Sequence, residues 1–261
     1  MGRFAVILPA AGRSTRFGDP KEKKIYAELE GRAVWLRALD PFLIHDDVEQ
    51  IIVAIAAEDR EMFDRRYRVK VVFLNLDVIE GGAERSDTVA RALERVHPSC
   101  QFVAIHDAAR PCLTSELVTA VFSAATLHGA ALLALNCSDT VKRAPDGQFT
   151  VETVSREGLY LAQTPQVFRR DWLVEAYAQR DKLAAVTDDT QLVEAIGHPC
   201  AIVAGSALNI KITTREDLRV AAAVLRMQGT AQKTSSGHPF AEEAEKWADL
   251  PKLKASDLFD S

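Results

Sequence analysis

Four cysteines in 261 residues, none in a C-x-x-C pair, leave no basis for a disulfide framework, a zinc knuckle or a redox dithiol. Cys100, Cys112, Cys137 and Cys200 stand far apart and read as reduced thiols. A basic surplus is missing too: 32 Lys and Arg against 37 Asp and Glu give a net charge of −5, which argues against nucleic acid as the main partner. No apolar run approaches membrane-spanning length, and the first strand opens at Phe4 with no room for a signal peptide, so a cytoplasmic protein with no membrane partner is expected. Two common phosphate grips are absent as well. There is no G-x-x-x-x-G-K-[ST], and Ser14 and Thr15 stand where a dinucleotide fingerprint needs glycine. What is abundant is apolar residues, 48% of the chain, ample for one large α/β domain or two small ones.

Strand-like runs at Phe4–Leu8, Glu49–Ala56, Val69–Leu74, Phe102–Ile105, Ala130–Leu135 and Cys200–Val203 alternate with helical patterns. The helical patterns lie near Ala33–Leu43, Ser86–Val96, Ser115–Leu127, Arg170–Ala178 and Thr214–Met227. Such alternation predicts right-handed βαβ crossovers and a mostly parallel, Rossmann-like sheet covered on both faces. Ligands of such sheets gather at the carboxyl ends of strands. Pro145-Asp-Gly147 breaks the alternation and predicts a β-hairpin arm over about residues 138–157, too small to be stable alone and therefore packed on a second subunit. Beyond Met227 the composition turns to Ser, Thr, Gly and charge, which predicts a globular domain over residues 1–227 and a mobile extension over 228–261.

Polar clusters fall where that rule puts ligands. After the first strand, Ala10, Ala11 and Gly12 present almost no side chain, so a phosphate can approach the backbone N–H groups, with Arg16, Lys21, Lys23 and Lys24 supplying positive charge. Gly81-Gly82 ahead of Arg85 and Thr88 permits another close approach at a helix start, or is an ordinary glycine turn with its cap. Asp107 suits a cation or a substrate hydroxyl, or an Asx turn; Arg110 offers a phosphate fork, a partner for Asp107, or both. His106 reads as a packed, hydrogen-bonded histidine, since transfer onto a phosphate oxygen needs no nucleophilic imidazole. Thr164 sits at a Pro-fixed corner, and Lys211 in Asn209-Ile-Lys-Ile-Thr213 reads as a strand lysine that matters if its face floors the site.

In order along Phe4 to about Met227 stand Pro9-Ala-Ala-Gly12 with Arg16, Gly81-Gly82 with Arg85 and Thr88, His106-Asp-Ala-Ala-Arg-Pro111, Asp139-Thr-Val-Lys142, Arg156, Gln163-Thr-Pro-Gln-Val-Phe168, Thr187-Asp-Asp189 and Asn209-Ile-Lys-Ile-Thr213. This set resembles the 2-C-methyl-D-erythritol 4-phosphate cytidylyltransferases of the non-mevalonate isoprenoid pathway. The resemblance implies transfer of a cytidylyl group from CTP to a small polyol phosphate, with Mg2+ carried in by the triphosphate. It further implies that Arg16, a lysine and Lys211 are catalytic, and that Ala10, Ala11, Gly12, Ser14, Gly82, Thr88 and Ala108 cradle CTP. Asp107, Arg110 and Thr164 would hold the acceptor; Thr140, Arg156 and Thr187 would reach the partner's site across a homodimer.

Two departures bear on this. Ser14 replaces a usual glycine, and the family's Pro-Lys-Gln-Tyr segment is here Pro20-Lys-Glu-Lys-Lys-Ile-Tyr26. Matching Pro-Lys selects Lys21; matching Lys-x-Tyr selects Lys24, which is preferred because the segment then runs on to Leu29 and Gly31 as in the family. Three other functions share parts of the pattern: a ribitol-5-phosphate cytidylyltransferase, a sugar nucleotidyltransferase, which the 139–156 arm disfavours, and a nucleotide-binding regulator without catalysis.

Overall fold

The computed structural model describes residues 3–12, 17, 23–183 and 186–235. In chain order the elements are β1 (Phe4–Ala10), β2 (Glu28–Leu29), β3 (Arg32–Ala33), α1 (Val34–Leu43), β4 (Val48–Ile55), α2 (Arg60–Phe73), β5 (Asp77–Glu80), α3 (Arg85–Leu93) and β6 (Phe102–Ile105). They continue with α4 (Ser115–His128), β7 (Ala130–Asn136), β8 (Val141–Arg143), β9 (Glu152–Val154), β10 (Tyr160–Arg169), α5 (Arg170–Ala178), α6 (Asp189–Ala195), β11 (Ala201–Ala204) and α7 (Arg215–Ser235). Seven strands form one sheet in the order β11-β7-β10-β6-β1-β4-β5, all parallel neighbours except β10, which runs antiparallel to both β6 and β7.

The unbroken apolar run of β1 follows from its place in that sheet. Phe4, Val6 and Leu8 pack with α1 and α4 residues such as Trp35, Leu39 and Phe122, whereas Ala5 and Ile7 face Val89, Leu93 and Phe168 on the other side. A strand covered on both faces has no polar position to offer. The expected α/β fold with a mostly parallel sheet is the one observed.

Two strand assignments are corrected. Val69–Leu74 is not a strand: all but Leu74 belong to α2, which is anchored by Phe63 and Tyr67, one turn apart, against Trp35. Val69, Val72 and Phe73 are exposed, so β-branched composition is overridden by where the helix finds its packing. The strand that leads to Gly81 is instead β5, Asp-Val-Ile-Glu, a short charged edge strand whose polarity hides it from a search for apolar runs. Asn209–Thr213 is not a strand either; it is an extended connection into α7, held by Ile212 N–H donating to the Ala109 carbonyl at 2.8 Å. β10, α2 and α6 have no counterpart among the elements expected from the sequence.

The arm is a separate two-stranded sheet in which Val141, Lys142 and Arg143 pair with Val154, Thr153 and Glu152. Its turn is closed by the Asp146 carboxylate, which accepts the N–H groups of Gln148 and Phe149 at 3.0 Å each, with Gly147 at φ +70°. Phe149 and Val151 are exposed. By contact the chain divides into two units, Met1–Ala222 and Ala223–Ser261. The whole sheet lies in the first. The second continues α7 to Ser235, and the remainder of the expected extension, residues 236–261, falls outside the described residues. Among the described residues no helix is long and apolar enough to cross a membrane.

Candidate active site

Loops leaving the carboxyl ends of β1, β4, β5 and β6 enclose a cavity of about 450 Å³. Ala10, Ala11 and Gly12 line one side, Gly81 and Gly82 another, and Ala108 closes the floor. The two glycines are dictated by space. A Cβ on Gly81 would stand 2.6 Å from Ala11 Cβ, and one on Gly82 would stand 2.3 Å from Asp87 Cβ. Thr88, buried, accepts the Gly82 N–H at 3.0 Å and donates its hydroxyl to the Glu84 carbonyl at 2.9 Å. Its described role is therefore to shape the glycine loop.

Asp107 is the electrostatic centre. Lys211 Nζ lies 2.8 Å and Arg110 Nε 3.4 Å from its Oδ2, and Arg85 Nε lies 3.8 Å from its Oδ1. Burial alone would raise the Asp107 pKa, but Lys211, Arg85 and Arg110 hold it well below the usual carboxylate range. Arg85 is shared with a second carboxylate, Asp189, so three cations against two anions leave one positive charge in excess, an arrangement suited to a polyanionic ligand. The motif match includes Arg85 but gives it no role. It is a pocket-lining cation whose Nη2 also reaches Asp189 Oδ2 at 2.6 Å.

Beneath that floor, β10 supplies three polar side chains, each holding a different loop. Thr164 Oγ1 accepts the Asp107 N–H at 3.0 Å and contacts His106 Nδ1 at 3.1 Å. His106 Nε2 lies 3.1 Å from the Arg110 carbonyl, which can only accept, so Nε2 carries the proton and Nδ1 accepts from Thr164. Complete burial pushes the His106 pKa down to about 4, which keeps this neutral tautomer. Gln163 Nε2 donates to the Ser206 carbonyl at 2.9 Å, and Gln166 Oε1 accepts from Asp189 N–H at 3.1 Å and Thr190 N–H at 3.3 Å. Arg110 Nη1 donates to the Asn209 carbonyl at 2.8 Å, tying the Asp107 loop to the Lys211 segment. In the sequence Gln163, Gln166 and Asn209 are motif letters only. The available signal is two glutamines flanking Thr-Pro at the head of an apolar strand: polar groups in such a place must be bonded.

The remaining assignments separate into three groups. Lys24 lines the cavity, while the neighbouring Lys23 is held by Glu58 Oε1 at 2.9 Å and Asp59 Oδ2 at 2.8 Å. Arg110 and Thr164 stand behind the lining, in contact with Asp107. Thr140, Arg156 and Thr187 do not line the cavity: Thr140 and Arg156 are exposed, Arg156 bonds the Ser138 carbonyl and Thr187 bonds Gln191 Oε1. Arg16, Ser14 and Lys21 lie outside the described residues.

The family model for 2-C-methyl-D-erythritol 4-phosphate cytidylyltransferase matches residues 4–227. The enzyme of that name from Rhodopirellula baltica is 43% identical over 233 residues, covering 85% of this chain and 94% of that protein. The one from Pelotomaculum thermopropionicum is 40% identical, covering 87% and 95% respectively. The crystal structure of the Thermus thermophilus enzyme superposes with a TM-score of 0.69 at 34% identity, over 87% of this chain and all of that one. The chain therefore belongs to the 2-C-methyl-D-erythritol 4-phosphate cytidylyltransferase family, and it is a nucleotidyltransferase.

Proposed function

We propose that the cavity carries out the family's reaction with its residues in the following roles. A phosphate oxygen of 2-C-methyl-D-erythritol 4-phosphate attacks the α-phosphorus of CTP, a new P–O bond forms, and the bond to the β-phosphate breaks with its electron pair leaving on pyrophosphate. Ala10, Ala11, Gly12, Gly82 and Ala108 line the bed in which the nucleotide lies. Arg16 and Lys24 neutralise the charge that grows on the α-phosphate and leaving group, and Lys211 draws the attacking phosphate in line. Asp107 and Arg110 orient the acceptor, with Thr164 fixing Asp107 from below.

The observation that carries this reading is the Asp107 cluster, in which Lys211 and Arg85 face the same cavity as the glycine loop. Among the described residues the carboxylates lining the cavity are Glu58, Glu84 and Asp107. Asp107 is committed to three cations and Glu58 to Lys23, so this donor set fits Mg2+ held chiefly by phosphate oxygens and water rather than by a protein cage. The ion supplies neutralisation of the triphosphate charge when bound. The arm, with its exposed Phe149 and Val151, supports a homodimer in which Thr140, Arg156 and Thr187 complete the neighbour's site. Four cysteines with no disulfide among them suit a reducing compartment, and we place the enzyme in the cytoplasm.

The test is pyrophosphate release by the purified protein with CTP, Mg2+ and either methylerythritol phosphate or ribitol 5-phosphate. Turnover with the first at a far higher kcat/KM is expected. Preference for ribitol 5-phosphate, or silence with both, overturns the assignment.

A further inference from the structure

Asp189 is the first residue of α6, and its side chain is wholly inaccessible to solvent. A buried carboxylate persists only with its oxygens satisfied, and both are. Oδ2 accepts from Arg85 Nη2 at 2.6 Å, and Oδ1 accepts from the Tyr177 hydroxyl at 2.5 Å. The backbone N–H of Asp189 donates to Gln166 Oε1, so its position is fixed from β10 as well. On its other side Arg85 reaches Asp107, whose second oxygen holds Lys211. The groups form one row from the interior to the cavity: Tyr177, Asp189, Arg85, Asp107, Lys211.

The charges alternate along that row, and only its last three members touch the cavity. Asp189 and Tyr177 lie behind it, where a nucleotide cannot reach. Nor does stability account for them, because well-packed apolar residues generally replace a buried ion pair at no loss. What an aliphatic pair could not do is hold a guanidinium at a set distance from Asp107. Without that restraint Arg85 would leave its place beside Asp107, and Asp107 would lose the cation on its Oδ1 side.

Resting on the acceptor assignment made above, we propose that Asp189 and Tyr177 are positioning residues for the acceptor half of the site. By fixing Arg85 they set the Asp107 carboxylate, and through it Lys211. The effect on the acceptor should therefore exceed that on CTP.

The experiment compares wild type, Asp189→Asn and Tyr177→Phe in the full-length enzyme. Circular dichroism and thermal midpoints establish folding, calorimetry gives the Kd for CTP, and steady-state rates give KM and kcat for methylerythritol phosphate. Asp189→Asn is expected to lower kcat/KM for the acceptor about tenfold while the CTP Kd moves less than about twofold; Tyr177→Phe should shift the acceptor kcat/KM the same way, about threefold. In an Asp107→Asn background, calorimetric acceptor affinity should change less than about twofold on adding Asp189→Asn, because the route is already cut. A folded Asp189→Asn enzyme with unchanged acceptor parameters, equal losses for both substrates, or a full additive loss in the Asp107→Asn background overturns the proposal. If Asp189→Asn does not fold, Tyr177→Phe decides, and an unchanged acceptor kcat/KM overturns it. Silence of the wild type with the acceptor overturns the acceptor assignment and the proposal together, whereas an active wild type with unmoved variants overturns the positioning role alone.

Discussion

Asp107 is 9% exposed and has cations from α3, its own loop and the Lys211 segment around it, whereas Arg156 stands exposed on the arm with the Ser138 carbonyl as its described partner. Both regions present charge to a phosphate in the reading above, yet one is assembled before any ligand arrives and the other is not. The floor has its polar groups fixed by β10, so little reorganisation accompanies the reaction. The arm has turn hydrogen bonds and cross-strand pairs but no core behind it, and its charged side chains must be placed by a neighbour or by the substrate. A substitution in the floor should therefore cost stability as well as activity. One in the arm should cost activity alone.

The largest effect is expected at the floor's outermost cation. Lys211→Met should lower kcat/KM at least a hundredfold, about 3 kcal/mol of transition-state stabilisation, because it removes the group that draws the attacking phosphate in and leaves Asp107 facing it with less cover. Steady-state pyrophosphate release measures this. A loss below tenfold would show that the floor is an anchor for the fold and not part of the chemistry.

His106 gives the floor a pH signature of its own. Its pKa is about 4 in the folded chain against 6.5 ordinarily. Above that ordinary value both states carry neutral imidazole; as the pH falls through the window the unfolded chain takes up a proton that the folded chain refuses. Stability should accordingly fall by about 3 kcal/mol between the two values, with no further loss from this group below them. Urea unfolding across the window in wild type and His106→Asn isolates the contribution, since carboxylates affect both proteins alike. Equal slopes would refute it.

Thr164→Val sharpens the same contrast. It leaves the Asp107 N–H and His106 Nδ1 buried without their partner, which should destabilise the chain by about 2 kcal/mol by urea midpoint. Activity should drop with it, and an unchanged midpoint would mean that the relay is slack.

How much of this is legible in the sequence follows the same division. Buried apolar strands announce themselves, because a strand covered on both faces has to be apolar, and β1 and β6 can be read directly. β5 and β10 cannot, since an edge strand is charged and the middle of β10 carries the very polar residues that secure three loops. Asp107, Arg110 and Lys211 can be suspected from type and from motif. Their convergence cannot, because Asp107 and Lys211 are brought together by the Ile212–Ala109 and Arg110–Asn209 hydrogen bonds, which no local pattern encodes. Arg85 escapes a role because its significance lies in Asp189, far along the chain.

The smallest effect on stability, and the most direct break in the comparison, is Arg156→Ala. The side chain is exposed, so the urea midpoint should move by less than about 0.5 kcal/mol, while turnover should fall about tenfold if Arg156 serves a phosphate. Whose phosphate is decided by mixing. In a shared-site C2 dimer an Arg156→Ala chain and an Arg16→Ala chain form heterodimers with one site carrying both lesions and one carrying neither. Activity should then rise above that of either mutant, toward half the wild-type value per heterodimer. If native mass spectrometry shows subunit exchange and no activity returns, Arg156 acts on its own subunit's substrate, and the arm is prepared in the same chain as the floor after all.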